Sequence, residues 1–113
     1  MNNLPKSKRL LNKPQFDRVF DKAKKVFLPE FLVLFRKSDG EARLGLAISK
    51  KTVNKATARN RCKRLVRESF RTSLLPNVDI IFLSRRGLDK LSKSQLSQRL
   101  TLAWQKLEKT LSR

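Results

Sequence analysis

The segment Val78-Asp79-Ile80-Ile81-Phe82-Leu83 sets the strongest limit on how this chain can fold. Side chains along a strand alternate between two faces. Here both faces are apolar except at Asp79, so the segment is expected to be a central strand covered on both sides. With 113 residues, 39% of them apolar, the chain has material for one domain with one modest core. No internal repeat, low-complexity tract or Gly/Ser linker divides it.

The remaining elements are read around that strand. Phe16, Val19, Phe20 and Ala23 recur at helical spacing behind Pro14, which suits a first turn. Residues 30–36 alternate, with Phe31, Val33 and Phe35 on one face and Leu32 and Leu34 on the other, and a Ser-Asp-Gly turn follows. Residues 43–49 alternate too. There Leu44, Leu46 and Ile48 oppose a face made only of Gly45, Ala47 and Ser49, which is too small to fill a groove and leaves room for something else to approach. Thr57 is expected to cap a helix running to about residue 74, where Leu-Pro-Asn ends it. Ser92 with Gln95 has the form of a capping box, and Leu96, Leu100, Ala103, Trp104, Leu107 and Leu111 stripe a long last helix. The expected order is α-β-β-α-β-α, an α+β sandwich in which a central mixed sheet is packed by helices. A polar, basic arm spans residues 1–13.

Charge narrows the function. The chain carries 28 Lys plus Arg against 9 Asp plus Glu, a formal +19. Such self-repulsion disfavours a compact monomer and calls for a polyanionic partner. With no long apolar run and no signal-like start, the sequence reads as soluble and cytoplasmic, without a membrane partner. One cysteine and no histidine rule out an internal disulfide and leave almost no transition-metal chemistry.

Nine of the basic residues fall between Lys50 and Arg71, with Glu68 as the lone acid among them. On a helix over this segment Cys62, Leu65, Val66, Ser69 and Phe70 share one side. Asn60, Arg64, Arg67 and Arg71 form a stripe opposite, flanked by Arg59 and Lys63. Like charges at this spacing weaken a helix, and a merely solvated face would mix signs. Arginine forks bind phosphate bidentately and stack on bases, while Asn60 can hydrogen-bond a base edge or the backbone. The segment therefore reads as a nucleic-acid contact. Phe16 and Phe20 fit either core packing or a stacking platform for unpaired bases, with Lys13, Arg18, Lys22, Lys24 and Lys25 supplying cations. Asp17 and Asp21 interleave with Arg18 and Lys22, the pattern of ordinary helix ion pairs. Cys62 reads as a small buried hydrophobe with no histidine to activate it. No catalytic set is visible.

The run Ala56-Thr57-Ala58-Arg59-Asn60-Arg61-Cys62-Lys63-Arg64-Leu65-Val66-Arg67-Glu68, preceded by Ser49-Lys50-Lys51, closely resembles the Arg-Asn-Arg signature of the bacterial ribonuclease P protein subunit. The resemblance extends through the Phe16 and Phe20 pair, the strand from Leu44 and the late apolar strand. It implies a protein that assists a catalytic RNA in removing the 5′ leader of precursor tRNA, with hydrolysis supported by Mg2+ bound mainly by the RNA. By the same resemblance Lys50, Lys51, Arg59, Asn60, Arg61, Lys63, Arg64, Arg67 and Arg71 would face the catalytic RNA. Phe16, Phe20, Phe35, Ala47 and Ser49 would line a cleft for the single-stranded leader. A left-handed β-α-β crossover through the basic helix is also implied, against the usual right-handed preference. Some family members carry a tyrosine on the cleft's sheet wall, which this chain lacks altogether, so Leu34 or Phe35 would serve there. Cys62 replaces a larger aliphatic residue. A structural ribosomal protein would share the charge and size, but its usual mark is a long basic extension. A DNA reader would need a helix-turn-helix partner before the basic helix, where strands stand instead.

Overall fold

The computed structural model describes residues 8–10, 13–38 and 40–111. Most of the expected basic arm lies outside the described residues. The elements are α1 (Lys13–Asp21), β1 (Lys24–Leu28), β2 (Phe31–Lys37), β3 (Arg43–Ala47), α2 (Ala56–Ser73), β4 (Val78–Ser84), a 3-10 turn (Leu88–Lys90) and α3 (Lys93–Leu111). Three helices pack on one mixed four-stranded sheet ordered β1-β2-β4-β3. β4 lies inside it, antiparallel to β2 and parallel to β3. Val78, Ile80, Ile81 and Phe82 are all fully buried, as a segment apolar on both faces requires.

The observed order is α-β-β-β-α-β-α, one strand more than the sequence suggested. The added strand, β1, reads Lys-Lys-Val-Phe-Leu and buries only Val26 and Leu28. Two lysines and an exposed Phe27 hide the alternation in a five-residue element at the sheet's edge. Its identity is set by pairing: every residue from Lys24 to Leu28 is registered on β2, across the tight Pro29-Glu30 turn. Charged residues on such an edge also discourage pairing with another chain.

The sheet has one sealed face and one partly open face. On the sealed face α2 and α3 cover Val26, Leu28, Phe31, Val33, Phe35, Leu44, Ile80 and Phe82. The Phe31 and Phe82 rings meet there at 4.7 Å. Trp104 of α3 is buried, meets Phe70 of α2 edge-on at 6.3 Å and donates its indole N–H to the Ser69 hydroxyl at 2.9 Å. This locks the two helices together and satisfies the buried indole donor. The capping box forms as expected: the Ser92 N–H donates to Gln95 Oε1 at 2.9 Å, and the Gln95 N–H donates to Ser92 Oγ at 3.1 Å.

The start of α2 differs from expectation. Lys55, not Thr57, occupies the cap position, without a side-chain cap hydrogen bond. Thr57 falls within the first turn, where a hydroxyl cannot cap. At the other end Leu74 takes a left-handed conformation, φ 53°, ψ 46°, a position where glycine is usual.

Candidate nucleic-acid interface

The geometry of α2 follows from its two sides. Cys62, Val66 and Phe70 face the core, and at about 100° per residue this turns Asn60, Arg64, Arg67 and Arg71 outward. Asn60, Arg64 and Arg71 are exposed, and Arg67 is half-buried. The described ion pairs, Lys13–Asp17, Arg43–Asp79 and Arg99–Glu30, lie elsewhere. Burial pushes the Cys62 thiol above its ordinary value, and nearby Arg61 offsets this only in part. The cysteine is thus a neutral packing group at neutral pH, as its sequence context suggested.

Arg59 and Arg61 divide their role. One Arg59 nitrogen donates to the Val53 carbonyl at 3.0 Å and the Asn54 carbonyl at 2.8 Å. One Arg61 nitrogen donates to the Leu91 carbonyl at 3.1 Å. Arg59 thus braces the entrance to α2 and Arg61 ties its first turns to the segment before α3, and both residues are half-buried. Lys63 is half-buried beside them. Lys50 and Lys51 stand exposed in the turn before α2, held where the Val53 N–H donates to the Ser49 carbonyl at 3.0 Å and Val53 is fully buried.

On the open face the strand registers define rows across the sheet. Lys25, Leu34, Ile81 and Gly45 form one row, and α1 lies over it. Val19, Leu34, Ile81 and Leu10 make a second small core there, with Phe16, Ala23, Leu32 and Leu83 packed against it. Gly45 is required by contact: a Cβ at this position would lie 2.6 Å from the Phe16 ring. What approaches the small face at Gly45 is therefore the chain's own Phe16. On the far side of α1, Arg36 donates to the Arg18 carbonyl at 2.7 Å. Beyond it Arg43 binds Asp79 through two nitrogens, both at 2.9 Å. This bidentate pair neutralises the one buried carboxylate of the described core, raising the Arg43 pKa above its ordinary value.

The next row is Phe27, Leu32, Leu83 and Ala47. Leu32 and Leu83 are half-buried, while Ala47 and Phe27 are exposed. This row lies next to the one beneath α1, on the same face of the sheet. The two aromatics of α1 differ, since Phe16 is half-buried on Gly45 whereas Phe20 is 48% exposed.

The other expected cleft residues fare differently. Phe35 is fully buried on the sealed face among Phe31, Val33 and Ile80. It cannot line the cleft, because strand alternation turns it away from α1. Leu34 is the β2 residue beneath α1. Ala47 is exposed on the α1 side of the sheet, paired with Leu83. Ser49 is exposed but sits past the end of β3, its N–H donating to the Ser84 hydroxyl at 3.1 Å and its hydroxyl bonded to Thr52 at 3.1 Å. The sequence reading missed Phe27, whose signal, an aromatic within Lys-Lys-Val-Phe-Leu, becomes legible only once β1 is recognised.

Comparison with known proteins agrees with this architecture. The family model for ribonuclease P matches residues 4–108. The chain belongs to the ribonuclease P protein family. The ribonuclease P protein component of Legionella pneumophila (strain Corby) is 52% identical over 103 residues, 90% of each chain. That of Marinomonas sp. (strain MWYL1) is 49% identical over 109 residues, 93% of this chain and 83% of the relative. Among solved structures, the Staphylococcus aureus RNase P protein superposes with a TM-score of 0.84 at 27% identity, covering 91% of this chain and 97% of that one. The Thermotoga maritima RNase P protein gives 0.76 at 31% identity, covering 87% and 96%.

As a ribonuclease P protein component the chain is a subunit of a ribonucleoprotein endonuclease and has an RNA partner. Among the described residues no three His, Cys, Asp or Glu side chains come together to hold a metal. Asp17, Asp79 and Glu30 are each bonded to a cation of the chain. Nor is any helix, among the described residues, long and apolar enough to cross a membrane.

Proposed function

We propose that α2 docks the catalytic RNA of ribonuclease P while the cleft between α1 and the sheet holds the single-stranded 5′ leader of precursor tRNA. The observation that carries this reading is the outward stripe of Asn60, Arg64, Arg67 and Arg71, set on a helix whose opposite side is locked into the core. A rigid row of arginine forks matches phosphates at fixed spacing better than mobile surface charges would. Lys50, Lys51, Lys63 and the half-buried Arg59 and Arg61 widen the contact. Phe20, exposed on α1, offers a ring face to unpaired bases on the side of the sheet that carries Leu32, Leu83 and Ala47.

In this reading the catalytic RNA holds most of the Mg2+. Bound there, Mg2+ would supply Lewis acidity and an activated water for hydrolysis of the leader phosphodiester. The residues of this chain bind and orient: the stripe fixes the protein on the ribozyme, and the cleft fixes the leader relative to it. The reaction belongs to the cytoplasm, and neither DNA nor a membrane has a part in it.

The decisive experiment is cleavage of precursor tRNA by a bacterial catalytic RNA at low Mg2+, with and without the protein. Rescue by protein is expected. Binding of the catalytic RNA should also weaken with salt, with a log–log slope of roughly −4 to −5 if about six phosphates are neutralised. Absence of rescue together with a flat salt dependence would sink the reading in favour of a structural RNA-binding protein.

A further inference from the structure

We propose that Phe27 is a second base-stacking site, which extends the leader track across the whole sheet to the β1 edge. The inference rests on the leader-cleft reading and adds to it a residue that sequence spacing did not single out.

Phe27 is 60% exposed. A single exposed apolar side chain is ordinary on a protein surface, so its position has to carry the argument. The large exposed hydrophobics of the described chain are Phe20, Phe27, Leu74 and Leu102. The two aromatic ones fall on the same side of the sheet. Strand alternation turns Val26 and Leu28 into the sealed core and Phe27 toward the α1 side. There the register places it at the head of the row Phe27, Leu32, Leu83, Ala47. With adjacent strands roughly 4.8 Å apart, this row runs about 14 Å from one edge of the sheet to the other. That length suits a run of unpaired nucleotides better than a single base.

The surroundings favour RNA as the occupant. Lys25, two residues before Phe27 on the same face, is exposed, so a cation stands beside the ring where a phosphate would pass. A sequence-tolerant track along single-stranded nucleic acid consists of aromatic faces interleaved with cations. Phe20, Phe27 and Lys25 meet that description without any hydrogen-bond readout of base identity. A protein partner would instead bury a continuous apolar patch, and here Lys25 interrupts the face beside Phe27.

The test pairs Phe27→Ala and Phe20→Ala, each bound as holoenzyme with catalytic RNA to precursor tRNAs of graded leader length and to mature tRNA. Phe27→Ala is expected to weaken binding of long-leader substrates by roughly five- to a hundredfold, the range for one stacked base. Short-leader substrates and mature tRNA should be unaffected. Phe27→Trp should retain affinity, and its fluorescence should change on adding a long leader. If Phe20→Ala discriminates leader from mature tRNA but Phe27→Ala does not, the proposal fails and the cleft reading stands. If neither variant discriminates, the cleft reading fails with it. Because Phe27 is largely exposed, thermal unfolding should be nearly unchanged in the variants, and a large loss would make Phe27 structural and overturn the proposal.

Discussion

The two faces of the sheet are made from alternate residues of the same strands, yet they are covered to different extents. Phe31, Val33 and Phe35 of β2 are fully buried under α2 and α3, whereas Leu32, between them, is half-exposed beside α1. The sealed face draws on two helices of 18 and 19 residues, and the open face on one of nine. A nine-residue helix cannot cover four strands. What it leaves bare is the surface proposed to bind the leader, so that surface is a consequence of incomplete coverage.

Substitutions on each face should separate these roles. The largest effect is expected from Phe35→Ala, which opens a cavity in the sealed core and should cost about 3–5 kcal/mol in denaturant unfolding. A mild loss with selective damage to leader binding would return Phe35 to the cleft. Gly45→Ala comes next. Its methyl would meet the Phe16 ring, so α1 has to shift, and a loss of about 1–3 kcal/mol is expected, as for an overpacked core. Moving α1 should also lower leader affinity, and Phe16→Leu in the same chain should restore part of the stability by making room.

Phe20→Ala should change stability by less than about 1 kcal/mol while weakening leader-bearing substrates more than mature tRNA, measured as a ratio of dissociation constants. Equal losses on both would join Phe20 to the sealed face in role. The smallest effect concerns Cys62, on the sealed side. Its thiol pKa is raised by burial, so the unfolded chain releases that proton first. Its stabilising contribution is complete below the ordinary thiol pKa and is lost as pH rises through that value toward the folded one. Urea midpoints should fall on the alkaline side, less steeply in Cys62→Ala, and the folded thiol should resist alkylation at neutral pH.

Much of this was legible in the residues. Alternation in β2 assigned Phe31, Val33 and Phe35 to one face and Leu32 and Leu34 to the other, and the structure keeps that division. Periodicity in α2 placed Cys62 inward and Arg64 outward, and the Ser92 and Gln95 cap formed as its spacing indicated. These features repeat locally, so a few residues carry the signal. β1 escaped because its identity depends on pairing with β2 rather than on its own composition. Thr57 misled because a cap is decided by where the preceding turn ends, and here the Arg59 side chain holds that turn from within the helix.

By itself the sequence determined a basic helix with an apolar back and a doubly covered central strand, because charge, period and residue type are local properties. Only the tertiary structure decided which sheet face lies open. It sent Phe35 to the core, set Phe16 on Gly45 and left Phe20 and Phe27 exposed on the same side, because strand order and the limited reach of α1 are properties of the assembled sheet that no single segment encodes.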